Sequence, residues 1–220
     1  MNDTRKPTPH RNSPGDEWVD LIDHENRVIG RERRRVVRAQ NLLHRGVGIL
    51  CVNRSKEVYV HRRTDTKDVF PGMYDMFVGG VVASGETYEE SAKREVAEEL
   101  GVLGPEPEFL FKHLYEGEKN RSWIQVYRVA WDGPIVHQEE EIAWGAWLAR
   151  SELEAWARRH AIVPDGLEVF EHYLAWERSA AGGQVSQGPS SSKSSVGSLP
   201  GSGKGAGGAA CTPRKRNRRT

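Results

Sequence analysis

Three glutamates in one short stretch, Glu95, Glu98 and Glu99, stand at i, i+3 and i+4. On a helix this spacing projects them from one side, within reach of a shared ion. Converging carboxylates repel one another unless a positive charge sits among them. An all-oxygen set of this kind suits a hard divalent cation, Mg2+ or Mn2+. Arg94 lies four residues after Glu90 and four before Glu98, so it can bridge or orient carboxylates. A metal held here would neutralise phosphate charge and activate a water, and a nearby glutamate could take that water's proton. The same residues taken alone also describe a solvated Glu-rich helix face. The surrounding spacing decides between the two readings.

The elements that would position these residues can be read around them. Thr87-Tyr88-Glu89-Glu90 has the form of a capping box, so a helix is expected from there to about Leu100, stopped by Gly101. Ala92, Val96 and Leu100 give that helix an apolar stripe to bury. Upstream, Trp18–Ile22 reads as a strand pairing with Val28-Ile29 through a turn at Asn26, and Arg31 to Gln40 as a basic helix. Val47–Val52 and Val58–Arg62 are strands joined near Asn53 to Lys56, Pro71-Gly72 is a turn, and Asp75–Val82 is strand-like until its glycines. Downstream, Phe109–Glu116 and Ser122–Trp131 form a hairpin around Lys119-Asn120, and Ile142–Leu148 is a further strand. Ser151-Glu152-Leu153-Glu154 and Asp165-Gly166-Leu167-Glu168 are two more capping boxes, each opening a C-terminal helix. Most strand links are too short for crossover helices. The expectation is an α+β fold, an α/β/α sandwich with a mixed sheet between helices.

The full spacing is Gly-x5-Glu-x7-Arg-Glu-(aliphatic)-x-Glu-Glu-x-Gly-(aliphatic). Gly80, Glu86, Arg94, Glu95, Val96, Glu98, Glu99, Gly101 and Val102 fill every defined position. This stretch resembles the Nudix box without departure, and nine positions at fixed spacing make it a specific signal. The resemblance implies a Nudix fold with a loop-helix-loop metal site. It also implies divalent-metal-dependent cleavage of a diphosphate linkage in a nucleoside diphosphate-X or related small organic diphosphate. Carried over by position, Glu95, Glu98 and Glu99 are metal ligands together with the Gly80 carbonyl. Glu86, Gly80 and Gly101 shape the motif, and Glu98, Glu95 and Arg94 carry the catalysis. Family members also recruit a glutamate from a later loop; Glu140 and Glu141, in the triplet Glu139–Glu141, are the candidates here.

A second resemblance extends upstream. Leu42-Leu43-His44-Arg45, Val60-His61-Arg62-Arg63, Lys67 and Phe70-Pro71-Gly72-Met73-Tyr74-Asp75 look like isopentenyl-diphosphate isomerase of the same superfamily. There an arginine and a lysine at the positions of Arg63 and Lys67 contact the diphosphate, a task suited to paired cations. The isomerase machinery does not carry over. Gly79 stands at the position of its cysteine, Val81 and Val37 at two of its histidines, and Asn120–Trp123 offers no glutamate. His44 alone survives of its histidine ligands, as a residue that packs or binds substrate. A hydrolase of the isomerase-like branch is the leading reading; an isomerase, or a non-catalytic nucleotide-binding module, is the alternative.

Composition sets the outer bounds. The 220 residues carry 32 Lys and Arg against 31 Asp and Glu. The last 42 residues, Ser179–Thr220, hold 9 Gly, 9 Ser, seven basic and no acidic residues, leaving the first 178 at −6. The domain plan is a flexible N-terminal segment 1–17, a hydrolase domain 18–178, and a disordered basic tail 179–220 that cannot offset its ordering entropy. The tail reads as a solubilising run ahead of a nucleic-acid contact. Cys51 and Cys211 exclude a disulfide framework, and no apolar run reaches membrane-spanning length, so a soluble cytoplasmic protein is expected. Trp123, Tyr127, Trp131, Trp144 and Trp147 read as core ahead of a base-stacking platform, Cys51 as a small buried hydrophobe, and the helices around Trp156 and Trp176 as sheet cover or a homodimer interface.

Overall fold

The computed structural model describes residues 14–183, and those to Gly182 form one unit. The chain runs β1 (Trp18–Ile22), β2 (Val28–Arg33), α1 (Arg34–Ala39), β3 (His44–Val52), β4 (Glu57–Arg63), β5 (Tyr74–Asp75), α2 (Tyr88–Leu100), β6 (Glu108–Glu116), β7 (Arg121–Ala130), β8 (Ile142–Ala149), α3 (Leu153–Ala157) and α4 (Pro164–Gly183). The expected flexible N-terminal segment and basic tail fall mostly outside the described residues. Pro14–Asp16 form a 3-10 turn and α4 continues to Gly183. No helix among the described residues is long and apolar enough to cross a membrane.

The eight strands form a mixed sheet. β3 runs parallel to β7 through nine paired residues, from His44↔Ser122 to Val52↔Ala130. β4 instead pairs antiparallel with β8 and touches β3 only at Val52↔Val58. The sheet therefore splays open between β3 and β4. The segment just before α2 fills part of the gap: it bridges β3 at Ile49↔Val78 and Gly46↔Val81, and β1 at Val19↔Ala83.

Side-chain alternation in the strands sends alternate residues to opposite faces. On one face Val47, Ile49 and Cys51 pack with Ala92, Val96 and Leu100 of α2. On the other, Leu50, Val60 and Val126 pack with Leu153 and Trp156 of α3 and Phe170 and Tyr173 of α4. Helices thus cover both faces, which is the expected α/β/α sandwich.

Some boundaries differ from the sequence reading. The basic helix is shorter, because β2 extends to Arg33 and pairs it with Trp18. The Ser151 box caps nothing: a 3-10 turn leads into α3 with no side-chain cap. The α4 helix starts at Pro164, which has no N–H to leave unsatisfied there. Asp165 therefore sits inside the first turn rather than capping it.

Candidate active site

The helix that carries the carboxylates is fixed at both ends. The Thr87 side chain accepts from Glu90 N while the Glu90 carboxylate accepts from Thr87 N, and Gly101 closes the C-terminus in the left-handed region (φ 66°). These are the start and stop read from the sequence. The helix buries Ala92, Val96 and Leu100, which holds its rotation so that Glu95 and Glu99 point inward and Glu98 outward.

Arg94 organises the motif. Its Nε and one terminal nitrogen hold the two Glu86 oxygens at 2.9 and 3.0 Å, a bidentate pair. The other terminal nitrogen donates to Glu95 Oε1 at 2.8 Å and Glu98 Oε2 at 3.3 Å. Glu86 also accepts from Ala83 N, which ties the loop before α2 to its helix. Burial pushes the Glu86 carboxyl up, but the Arg94 and Ala83 hydrogen bonds outweigh it and leave it below its ordinary value. Gly80 sits directly beneath Glu95: a Cβ there would lie 2.4 Å from Glu95 Oε1. Only a glycine lets this carboxylate reach the backbone at that point.

The three metal-ligand candidates do not converge. Among the described residues no three His, Cys, Asp or Glu side chains stand close enough to hold a metal ion. Glu95 and Glu98 share the Arg94 guanidinium, whereas Glu99 faces a cavity. Burial, then the charge of Glu95, pushes Glu99 up to about 8; burial also raises Glu95, against the pull of Arg94. Two buried carboxyls held above their usual range favour a neighbouring positive charge. With the Gly80 carbonyl they make an all-oxygen donor set that fits a hard divalent cation.

The cavity, about 110 Å3, opens in the splay between β3 and β4. One wall carries Gly79, Gly80 and Glu99; the others carry Arg34 and Arg38 of α1, Arg63 at the end of β4, Lys67 just after it, and the first turn of α4. Arg63 and Lys67 are the residues that the isomerase resemblance implies as diphosphate contacts. Arg34 and Arg38 were not given a role there, although their i, i+4 spacing on a basic helix was visible. The Nε atoms of Arg38 and Arg63 are buried and have no partner among the described residues. Burial, reinforced by Arg63, lowers Lys67 to about 8.

Of the late-loop glutamates, Glu141 is in ion contact with Lys67 and Glu140 is exposed. His44 lines the cavity, with Nδ1 2.9 Å from the Leu42 carbonyl. Burial and the charge of Arg38 lower it to about 4, so it is neutral. Asn120, unmarked in the sequence, bridges Arg38 (2.9 Å) to Asp165 (2.7 Å). None of Trp123, Tyr127, Trp131, Trp144 and Trp147 lines the cavity. Tyr127 is core, but Trp144 is 46% exposed and so departs from the core reading. Cys51 is buried, as expected of a small hydrophobe.

Comparison with known proteins fits this geometry. The NUDIX domain family matches residues 42–171. An uncharacterized Nudix hydrolase of Streptomyces coelicolor is 45% identical over 79% of this chain and 97% of its own length. The uncharacterized Nudix hydrolase YfcD of Escherichia coli is 37% identical over 72% of this chain and 87% of its own. The crystal structure of DR0079 from Deinococcus radiodurans superposes with a TM-score of 0.62 at 28% identity, covering 71% of this chain and 98% of that one. A MutT protein from Methanosarcina mazei shares the fold at 21% identity, with a TM-score of 0.53 over 63% of this chain and 95% of its own. With an intact box, a sandwich that places it beside a cation-lined cavity, and relatives along most of its length, this chain belongs to the Nudix hydrolases.

Proposed function

We propose that this protein hydrolyses a diphosphate linkage in a nucleoside diphosphate-X or related small organic diphosphate, with Mg2+ or Mn2+. The observation that carries the reading is the cavity itself, where Gly80 and Glu99 of the box meet four cationic side chains, Arg34, Arg38, Arg63 and Lys67. Glu95, Glu98, Glu99 and the Gly80 carbonyl would hold the metal. When bound, it would supply charge neutralisation and lower the pKa of a water.

The remaining work falls to the chain. Arg63, Lys67, Arg34 and Arg38 bind the diphosphate through charge-assisted hydrogen bonds. The Nε atoms of Arg38 and Arg63, without a partner among the described residues, are donors ready for phosphate oxygens. Arg94 and Glu86 fix the loop and keep Glu95 and Glu98 in place. Glu98, the exposed member, is the first candidate to take a proton from the attacking water, followed by Glu95. Glu141 is engaged with Lys67, which favours a role in positioning that cation; Glu140 is left as the late-loop candidate for the base.

Two features weigh against isomerisation. A Cβ at Gly79 would lie 2.1 Å from the Val47 carbonyl oxygen, so the backbone here leaves no room for a cysteine. Val81 is buried in a small apolar cluster with Val19 and Val37. A pure binding module would have little use for a complete carboxylate set.

The test is phosphate release from a panel of diphosphates with Mg2+, with Mn2+ and with EDTA, for the wild type and for Glu98→Gln and Glu99→Gln. Metal-dependent cleavage that both variants lose supports the reading. Full activity in both, or dimethylallyl diphosphate formed from isopentenyl diphosphate, overturns it.

A further inference from the structure

Another cluster of titratable side chains lies outside the cavity, where α4 meets β6. His113 of β6 and His172 of α4 face each other with their Nδ1 atoms 3.2 Å apart. The other ring nitrogen of His113, Nε2, stands 2.9 Å from Glu168 Oε1. Glu168 and His172 are at i and i+4, so they share one side of α4. The sequence puts Glu168 in a capping box, but α4 starts at Pro164 and the Glu168 carboxylate turns to β6 instead. None of the three residues lines the cavity.

The hydrogen bonds assign the ring nitrogens. A carboxylate only accepts, so His113 Nε2 carries a proton and donates it to Glu168. In the neutral ring His113 Nδ1 is then a lone pair, to which His172 Nδ1 donates. Two imidazole nitrogens this close share either one proton or one cation. Ligand nitrogens about 2.0–2.1 Å from a tetrahedral Zn2+ stand about 3.3 Å from each other, close to the separation here. The carboxylate behind His113 is the partner a metal-ligating histidine needs: it takes the other N–H, fixes the tautomer and raises the basicity of the ligand nitrogen. Phe111 lies against the His172 ring with centroids 4.5 Å apart and orients it. Desolvation, then the charge of His113, lowers His172 from its ordinary pKa, which favours the neutral, ligating ring. Glu168 and His172 are exposed, so an ion enters directly from solvent. Imidazole suits Zn2+ or Cu2+, whereas Mg2+ and Mn2+ prefer oxygen.

We propose that His113 Nδ1 and His172 Nδ1 bind one transition-metal dication of the Zn2+ type, with water completing its shell and Glu168 orienting His113. Two side-chain ligands agree with there being no three-ligand cluster among the described residues. On binding, the His172 proton passes from Nδ1 to Nε2, one neutral tautomer replacing the other, and no redox step is involved. The ion ties β6 to α4, whose first turn supplies Asp165 and Gly166 to the cavity. The site does not depend on the hydrolase reading.

Calorimetry with Zn2+ on the full chain tests this, in excess Mg2+ to occupy the box carboxylates. The wild type is expected to bind Zn2+ with a Kd of about 1–100 μM. His113→Ala and His172→Ala should each weaken that binding at least about tenfold, and Glu168→Ala about tenfold through the lost orientation of His113. His24→Ala should leave it unchanged: its ring also meets a glutamate, Glu116, but on a different part of the surface. Zn2+ at a hundred times Kd should raise the wild-type melting temperature by about 5–10 °C, and this gain should vanish in both ligand variants. If His113→Ala fails to fold, the exposed His172→Ala carries the test. No Zn2+ binding in excess Mg2+, or binding that neither ligand variant weakens, overturns the proposal, as does an equal loss in His24→Ala.

Discussion

The two walls of the cavity are built in different ways. One is a single continuous stretch, Gly80–Gly101, in which a loop and the next helix are tied by Arg94 to Glu86, Glu95 and Glu98. The other is assembled from α1, the segment after β4, the start of β7 and the first turn of α4, brought together only by the sheet. The first wall is held by contacts within that one stretch, such as Arg94 to Glu86, 8 residues apart, and Arg94 to the Val81 carbonyl, 13 apart. The second depends on pairs such as Asn120 to Arg38, 82 residues apart. In the function proposed above, the continuous wall would carry the chemistry and the assembled wall recognition. This is an economical division: reaction geometry tolerates little error, whereas binding groups on separate elements can vary with the substrate.

The largest effect should come from the continuous wall. Glu98→Gln and Glu99→Gln should each lower kcat by about 100- to 10,000-fold with the fold retained, checked by phosphate release and circular dichroism. EDTA should match that loss in the wild type. Arg94→Ala should destabilise the domain by about 2–4 kcal/mol, because it strands the largely buried carboxylates of Glu86 and Glu95; urea unfolding measures it. An unchanged midpoint would show that the wall does not need its internal tie.

On the assembled wall, Arg38→Ala or Arg63→Ala should raise KM about 10- to 100-fold with a smaller change in kcat, the worth of a charge-assisted hydrogen bond. Arg54→Ala, on the exposed surface, should change neither.

The titratable groups on and around that wall give a pH test. Burial lowers His44 to about 4 and His61 to about 3. The unfolded chain binds these protons below about pH 6.5 and the folded one does not. Their contribution to stability is therefore present above pH 6.5 and is lost as pH falls toward 4. Asp75 acts in the opposite sense. Burial raises it to about 7, so its contribution is full below pH 3.8 and is lost as pH rises through 7. Asp75→Asn should accordingly gain melting temperature over the wild type as pH goes from 5 to 8. The smallest effect is local: Thr87→Ala should cost about 1 kcal/mol through the helix cap and leave KM alone.

The sequence reading succeeded where forces are local. The Thr87 cap, the Gly101 stop and the Ala92–Leu100 stripe act within one helix, so their spacing carries the information. It failed at the β2–α1 boundary. Arg31 to Arg33 have helical company in sequence, but they pair with β1 strand residues Trp18 to Asp20, and propensity yields to that pairing. The Ser151 box likewise had the right letters and no cap, because a 3-10 turn intervened.

The amino-acid order alone determined the box and the sandwich class, whereas two of the four cavity cations, Arg63 and Lys67, were marked only by the likeness to the isomerase. The carboxylate rows, caps and periodicities behind those readings are one-dimensional patterns of adjacent residues. Only the tertiary structure decided the rest. It separated Glu99 from the pair held by Arg94, added Arg34 and Arg38 to the cation set, and engaged Glu141 with Lys67. Those outcomes depend on where β3 and β4 part and on which strand lies beside β3. That geometry is set by packing between elements far apart in the chain, which residue spacing does not record.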